Sequence, residues 1–313
     1  MRTLLILVLA ISFITSCGLT PESTAGGDAT AAPKVSDFTP PNAFTEGIEG
    51  PATDAAGNIY AVNFKEQGTI GKVTPEGKAS LFATLPEGST GNGIRIGKDG
   101  GLYIADYSSH NVLHLNPATM TTSVFAHSDE ANQPNDLAIA PNGTLYTSDP
   151  NWADSTGQLW KVTSAGFELL EKDMGTTNGI EVSPDGSKLY VNESVQRNLW
   201  VYDIQADGGV SNKQLLHHFS DFGLDGMRCM PDGRLFVTRH GKGTVVVLSP
   251  EGMLLTEISL KGQKPTNLTF SPDYGKCYVT LADRGCIEVI DLVSTGGLSE
   301  EEQELLELLP VVL

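Results

Sequence analysis

Basic residues are few in this chain: 20 Lys and Arg stand against 38 Asp and Glu, a formal net charge of −18 at pH 7. That balance excludes a nucleic-acid partner, because phosphate binding needs a basic footprint. Cysteine is equally sparse. Apart from Cys17 there are Cys229, Cys277 and Cys286, an odd number without CxxC spacing, so no fully paired disulfide framework is built. Cys277 and Cys286 fall where neighbouring strands would place them, either as one disulfide or as buried free thiols. The apolar run at the N-terminus, Leu4 to Ile14, is too short to cross a bilayer as a helix. Charged residues make up only 19% of the chain and glycine is plentiful at 34, a composition that suits buried strands joined by many tight turns.

Arg2 and the Leu4–Ile14 run form a targeting segment, and it ends in Ile14-Thr15-Ser16-Cys17. These four residues resemble the bacterial lipobox. The resemblance implies a leader over residues 1–16, cleavage before Cys17 and lipidation of its thiol. It also implies a cell-envelope protein facing the periplasm or exterior, with membrane contact through that anchor only. Residues 17–33, rich in Ala, Gly, Ser and Thr, read as a flexible tether. Residues 299–313 read as an acidic, Leu-rich tail. Its Ser299-Glu300-Glu301-Glu302 start fits the head of a short helix or a solvated end.

Between them, residues 34–298 repeat one pattern six times. The copies open at Glu49, Asn92, Asn135, Asn178, Asp225 and Asn267, at intervals of 42 to 47 residues. Each then carries a turn such as Asp99-Gly100, Asn142-Gly143 or Asp185-Gly186, followed by a strand such as Leu102-Tyr103 or Leu145-Tyr146. Units of this length with several strands predict an all-β, six-bladed β-propeller with four-stranded blades. The segment from Lys34 is placed to close the ring beside the last blade.

The first strand of each propeller blade lines the central axis, so the six opening residues form a ring of oxygen-bearing side chains. Asn or Asp at one strand start is ordinary turn chemistry. Six such positions converging, with carboxylates only at Glu49 and Asp225, suit a hard divalent cation: Ca²⁺ first, with Mg²⁺ or Mn²⁺ as lesser options. Loops on the same face add Asp149, Trp152 and His240 as candidate substrate-lining residues, together with Asn92 and Asn267 from the ring. A loop over Asp149–Thr156 is expected to carry Asp149 and Trp152.

The words around these positions are Glu49-Gly50-Pro51, Pro134-Asn135-Asp136-Leu137, Thr177-Asn178-Gly179-Ile180, Leu224-Asp225-Gly226-Met227 and Ser148-Asp149-Pro150. Together they resemble the gluconolactonase, senescence-marker-protein and luciferin-regenerating-enzyme family of six-bladed propellers. The resemblance implies one divalent cation held by Glu49, Asn135, Asn178 and Asp225. It further implies hydrolysis of a lactone or related ester by a monomer, with Asp225 as nucleophile or general base. Gln133 stands where sugar-lactone members of that family often carry Arg. The competing class is a non-catalytic, lipid-anchored propeller that senses a ligand or binds a protein.

Overall fold

The computed structural model describes residues 33–292. The leader, Cys17, the tether up to residue 32 and the tail over 299–313 lie outside the described residues. Six four-stranded antiparallel sheets follow one another around an axis, so the chain folds as the six-bladed propeller its repeats predict. Five sheets are each built from four consecutive strands. The sixth combines Pro265–Phe270, Lys276–Leu281 and Cys286–Asp291 with the N-terminal strand Lys34–Asp37 as its outermost member. Val35 pairs with Ile290 in that closing ladder, and Asp37 pairs with Glu288.

The sequence dictates which strands go inside. The second strand of each blade, for example Ile59–Val62, is buried almost throughout, and the third ranges from fully buried in Thr244–Leu248 to half-buried in Asn198–Ile204. The outermost strands, such as Val210–His218 and Leu254–Ser259, alternate weakly and stay largely exposed. Six apolar clusters result, and each straddles two neighbouring blades. Ile70 and Leu85 of the first blade pack on Ile94 and Ile104 of the second. Ile59 and Val73 of the first meet Tyr278 and Ile287 of the sixth. A blade therefore has no core of its own, and burial is complete only when the ring closes.

Five of the six inter-strand turns place glycine in the left-handed region, for example Gly143 at φ 88° and Gly233 at φ 85°. The sixth copy puts Tyr274 there, at φ 55°. Cys277 and Cys286 lie on adjacent strands but at opposite ends, opposite Ile290 and Leu281 respectively. Both are buried free thiols. The second strand of blade three runs from Leu145 through Asn151, so Asp149 sits in a strand and not in the expected loop.

The closing strand holds the last blade through ladder hydrogen bonds, and Asp37 adds contacts to Arg284 at 2.7 Å and Lys261 at 3.2 Å. Deleting residues 33–37 exposes the edge of Cys286–Asp291. It should cost about 3 kcal/mol, or roughly 10 °C in melting temperature at this size. Thermal unfolding followed by circular dichroism checks this, and an unchanged midpoint would show that the ring closes without it.

Candidate metal and substrate site

Each blade reaches the axis through its first strand, which is only two or three residues long in blades one, three and five. In three blades the ladder slips by one residue there: between Gly91 and Ile94, Thr177 and Ile180, and Pro265 and Leu268. Such bulges re-aim a side chain, and they fall on Asn92, Asn178 and Asn267. Glycine follows four of the six ring residues because neighbouring blades touch there. A Cβ on Gly50 would lie 2.0 Å from the Asn92 carbonyl, and one on Gly179 would lie 2.3 Å from the Asp225 carbonyl. The blades are also laced by hydrogen bonds, from Gly93 N to Asn135 O at 2.8 Å and from Gly226 N to Thr266 O at 2.7 Å.

On one face of the ring opens a cavity of about 340 Å³. Glu49, Asn135, Asn178 and Asp225 line it, as do Asn92, Trp152 and His240. Asn178 donates through Nδ2 to Asp225 Oδ1 at 2.8 Å and to Ser194 Oγ at 2.9 Å. Ser194 in turn donates to the Leu224 carbonyl. Both hydrogens of that amide are thereby engaged, which leaves its oxygen as the group free for a ligand. Asn92 donates to the Asn135 carbonyl at 3.1 Å. The carboxyl groups of Glu49 and Asp225 are in hydrogen-bonding contact with each other. Burial and then the charge of Asp136 push the Glu49 carboxyl up to about 7. Burial and then Glu49 drive Asp225 well above the usual carboxylate range. His240 is held below its ordinary value by burial and by Lys264, so its imidazole is neutral at pH 7.

Two ring or loop residues do other work. Asn267 is 1% exposed and does not line the cavity. It donates to Asp136 Oδ2 at 3.1 Å, accepts from Arg228 at 3.1 Å and steadies Glu49 from behind. Asp149 is fully buried, and its carboxylate accepts from the backbone of Asn132 at 2.9 Å and of Gln133, and from Trp160 Nε1 at 2.8 Å. Asp106 does the same for Thr90 at 3.0 Å, Glu193 for Gly175 at 2.8 Å and Asp283 for Gln263 at 2.7 Å. Asp149 is thus one of four carboxylates that clamp the segments entering blades two, three, four and six.

Beneath the cavity the axis holds charges that the opening-residue pattern missed. Arg95 pairs with Asp136 at 3.0 Å and Glu181 at 3.6 Å, and Arg228 reaches the same two carboxylates at 3.6 and 3.8 Å. Arg95 also donates to Ile180 O, and Arg228 to Pro51 O at 3.1 Å. The signal was present in the sequence. Gly-Ile-Arg-Ile, Gly-Ile-Glu-Val and Gly-Met-Arg-Cys put an ionisable residue three places after Asn92, Asn178 and Asp225, one step deeper on otherwise apolar strands.

The axis therefore carries four carboxylates, Glu49, Asp136, Glu181 and Asp225, against two guanidinium groups. Among the described residues no cluster of three or more His, Cys, Asp and Glu side chains forms a metal site. The cavity instead brings together two carboxylates, Glu49 and Asp225, and two side-chain amides, Asn135 and Asn178. Two buried carboxyls pressed together without a cation of their own, beside an oriented amide oxygen, fit a hard divalent ion.

The SMP-30/gluconolactonase/LRE-like family profile matches residues 48–283, and the chain belongs to that family. It is 28% identical to the gluconolactonase of Zymomonas mobilis over 71% of this chain and 72% of that protein. It is 26% identical to the diisopropyl-fluorophosphatase of Loligo vulgaris over 75% and 85% respectively. Among solved structures, the calcium-binding protein regucalcin of Agrobacterium tumefaciens superposes with a TM-score of 0.71 at 20% identity, covering 83% of this chain and 93% of that one.

Two outcomes follow. Removing the Arg228 head leaves Asp136 and Glu181 with one guanidinium between them, so Arg228→Leu should destabilise the fold by about 3–5 kcal/mol in denaturant titration. A loss below 1 kcal/mol would show that the axial charges are dispensable. A carboxyl whose folded value is raised from 4.5 to about 7 binds more protons folded than unfolded across that window. Its contribution to stability is therefore lost as pH rises from 4.5 to 7. In chelator-treated protein the melting temperature should fall with pH relative to Glu49→Gln, and parallel curves for the two proteins would contradict the assignment.

Proposed function

We propose that this chain is a divalent-cation-dependent hydrolase of lactones or related esters, with Ca²⁺ as the preferred ion. The observation that carries the reading is the meeting of Glu49 of blade one and Asp225 of blade five, with Asn135 and Asn178 beside them, in the lining of a cavity sized for a small ligand. The gluconolactonase and the calcium-binding regucalcin among its relatives support it.

Glu49, Asn135, Asn178 and Asp225 would hold the cation. Once bound, it would polarise a carbonyl oxygen, stabilise the developing oxyanion and lower the pKa of the two carboxylates. The chain's own residues do the rest. Ser194 and Asn178 fix the orientation of Asp225 through the 2.8 Å contact, which aims one carboxylate oxygen into the cavity. Asp225 then attacks the carbonyl carbon or takes a proton from the attacking water. A carboxylate with a depressed pKa is a weak base, so the neutral imidazole of His240 in the same wall is the alternative proton acceptor. Trp152 lines the cavity while remaining 40% exposed, which places its indole where a substrate would meet it.

Treatment with chelator should abolish hydrolysis of simple lactones, and added calcium should restore it. Asp225→Asn should retain calcium binding by calorimetry yet lose at least about 10²-fold in kcat, the scale of a missing nucleophile or base. Full activity in that variant would exclude both roles for Asp225. A protein that binds calcium and hydrolyses no lactone or ester would instead be a ligand sensor.

A further inference from the structure

A second cavity of about 540 Å³ opens on the same face at the seam of blades one and two. It is bounded by Thr45, Glu46, Gly47, Asn63, Gln67 and Thr90. Asn92 and Tyr107 line it and also line the central cavity, so the two spaces meet at these side chains. The central cavity alone lies at the lower end of the roughly 300–1,000 Å³ typical of small-ligand sites, and a lactone ring fills much of it. The outer space is larger than the inner one and is reached past a single aromatic residue.

Its chemistry is distinctive in two ways. No Lys or Arg lines the outer cavity, and its one charged side chain is the carboxylate of Glu46. A carboxylate, phosphate or sulfonate on the tail of a substrate would find no counter-ion there. The amides of the outer wall are partly engaged within the protein: one hydrogen of Asn63 Nδ2 goes to Gly47 O at 2.6 Å, and one of Gln67 Nε2 to Thr90 Oγ1 at 3.1 Å. The backbone N–H of Tyr107 is bound to Thr90 O at 2.9 Å. Carbon makes up more of this cavity's surface than nitrogen and oxygen do, which suits an aliphatic or aromatic chain better than a polyhydroxylated one.

We infer that the substrate is an uncharged lactone bearing an aliphatic or aromatic tail, with the ring in the central cavity and the tail lying past Tyr107 and Asn92 into the seam of blades one and two. This rests on the hydrolase reading above and narrows it. Gln67 is exposed at the rim, so replacing it does not disturb the buried strands.

The test compares γ-butyrolactone, γ-decanolactone and a γ-lactone whose tail ends in a carboxylate, all with calcium-loaded protein. The unmodified chain should favour γ-decanolactone over both others by at least about tenfold in kcat/KM. In Gln67→Trp, whose indole fills the outer cavity, the ratio of γ-decanolactone to γ-butyrolactone should fall about tenfold, chiefly through KM. A preference for the tail-less or anionic lactone, or a ratio unmoved by Gln67→Trp, would overturn the inference. Should no lactone turn over, the hydrolase reading fails and the tail site is judged separately, by calorimetric binding of a hexyl-substituted γ-lactam. Affinity about tenfold weaker in Gln67→Trp than in the unmodified chain supports the site. Equal affinity, or no binding by the unmodified chain, overturns it.

Discussion

Two largely buried guanidinium groups cross the axis of this molecule, and together they touch every blade. Arg95 extends from the second blade to the third and fourth. Arg228 extends from the fifth to the third and fourth, to the Pro51 carbonyl of the first and to Asn267 of the sixth. Burial and the neighbouring Arg95 lower the Arg228 guanidinium to about 10, still charged at neutral pH. Burying ions costs free energy that their mutual attraction recovers only when all of them are in place. The apolar seams supply most of the driving force for folding, but they are non-directional and would tolerate a slipped blade. A charge cluster that is satisfied only when six inner strands arrive in register makes a slipped ring expensive.

The same cluster prepares the site above it. Asp136 and Glu181 are balanced by the two arginines, so Glu49 and Asp225 are left without a protein cation, and Asp136 adds to their repulsion. The deficit on the axis is two negative charges, which one divalent ion would cancel. Asn267 links the layers, since it contacts Arg228 and Asp136 below and Glu49 above. The floor of the cavity and the fastening of the ring are therefore one structure. On the opposite mouth a separate space of about 390 Å³ is lined by Arg95, Glu181 and Arg228 but shares no residue with the cavity of Glu49 and Asp225, so the charges partition the channel.

Much of this was legible in the sequence because repetition turns weak signals into strong ones. Six aligned Asn, Asp and Glu residues gave the axis, the blade count and the converging carboxylates, and Lys34 onward gave the closing strand. Where a residue departs from its own repeat, single-sequence reasoning did less well. Asp149 looked like a substrate residue because Pro150 and Trp152 suggested a loop. Its repeat equivalents Asp106 and Glu193 mark it as a backbone clamp, a comparison available from the repeats alone, whereas in blade six that position is Leu281 and the clamp is Asp283, two residues on. Asn267 belongs to the ring by position, but its bulge and the pull of Arg228 turn its amide behind Glu49. Arg95, Glu181 and Arg228 were hidden by their strands, since an ionisable residue inside an apolar run is placed only when its partners on other blades are known.

The departures from the repeat coincide with the charge of the site. Blades two, three, four and six clamp the chain entering them with a carboxylate on backbone N–H groups. Blade one has Asn63 at that corner, holding the Gly47 carbonyl through a single amide, and blade five has Arg239, which grips Asp221 at 2.7 Å and lies over the Phe219 ring at 4.0 Å. Their entering segments, Thr45–Gly47 and Gly223–Leu224, line the outer and central cavities, and Thr90 of the clamped second blade completes the outer wall. A clamp therefore does not decide which segment faces ligand space. What sets blades one and five apart is the residue that follows: each delivers a carboxylate to the central cavity, Glu49 and Asp225, while the clamped blades three and four deliver the amides of Asn135 and Asn178. The negative charge of the central cavity thus collects at the two blades that break the pattern.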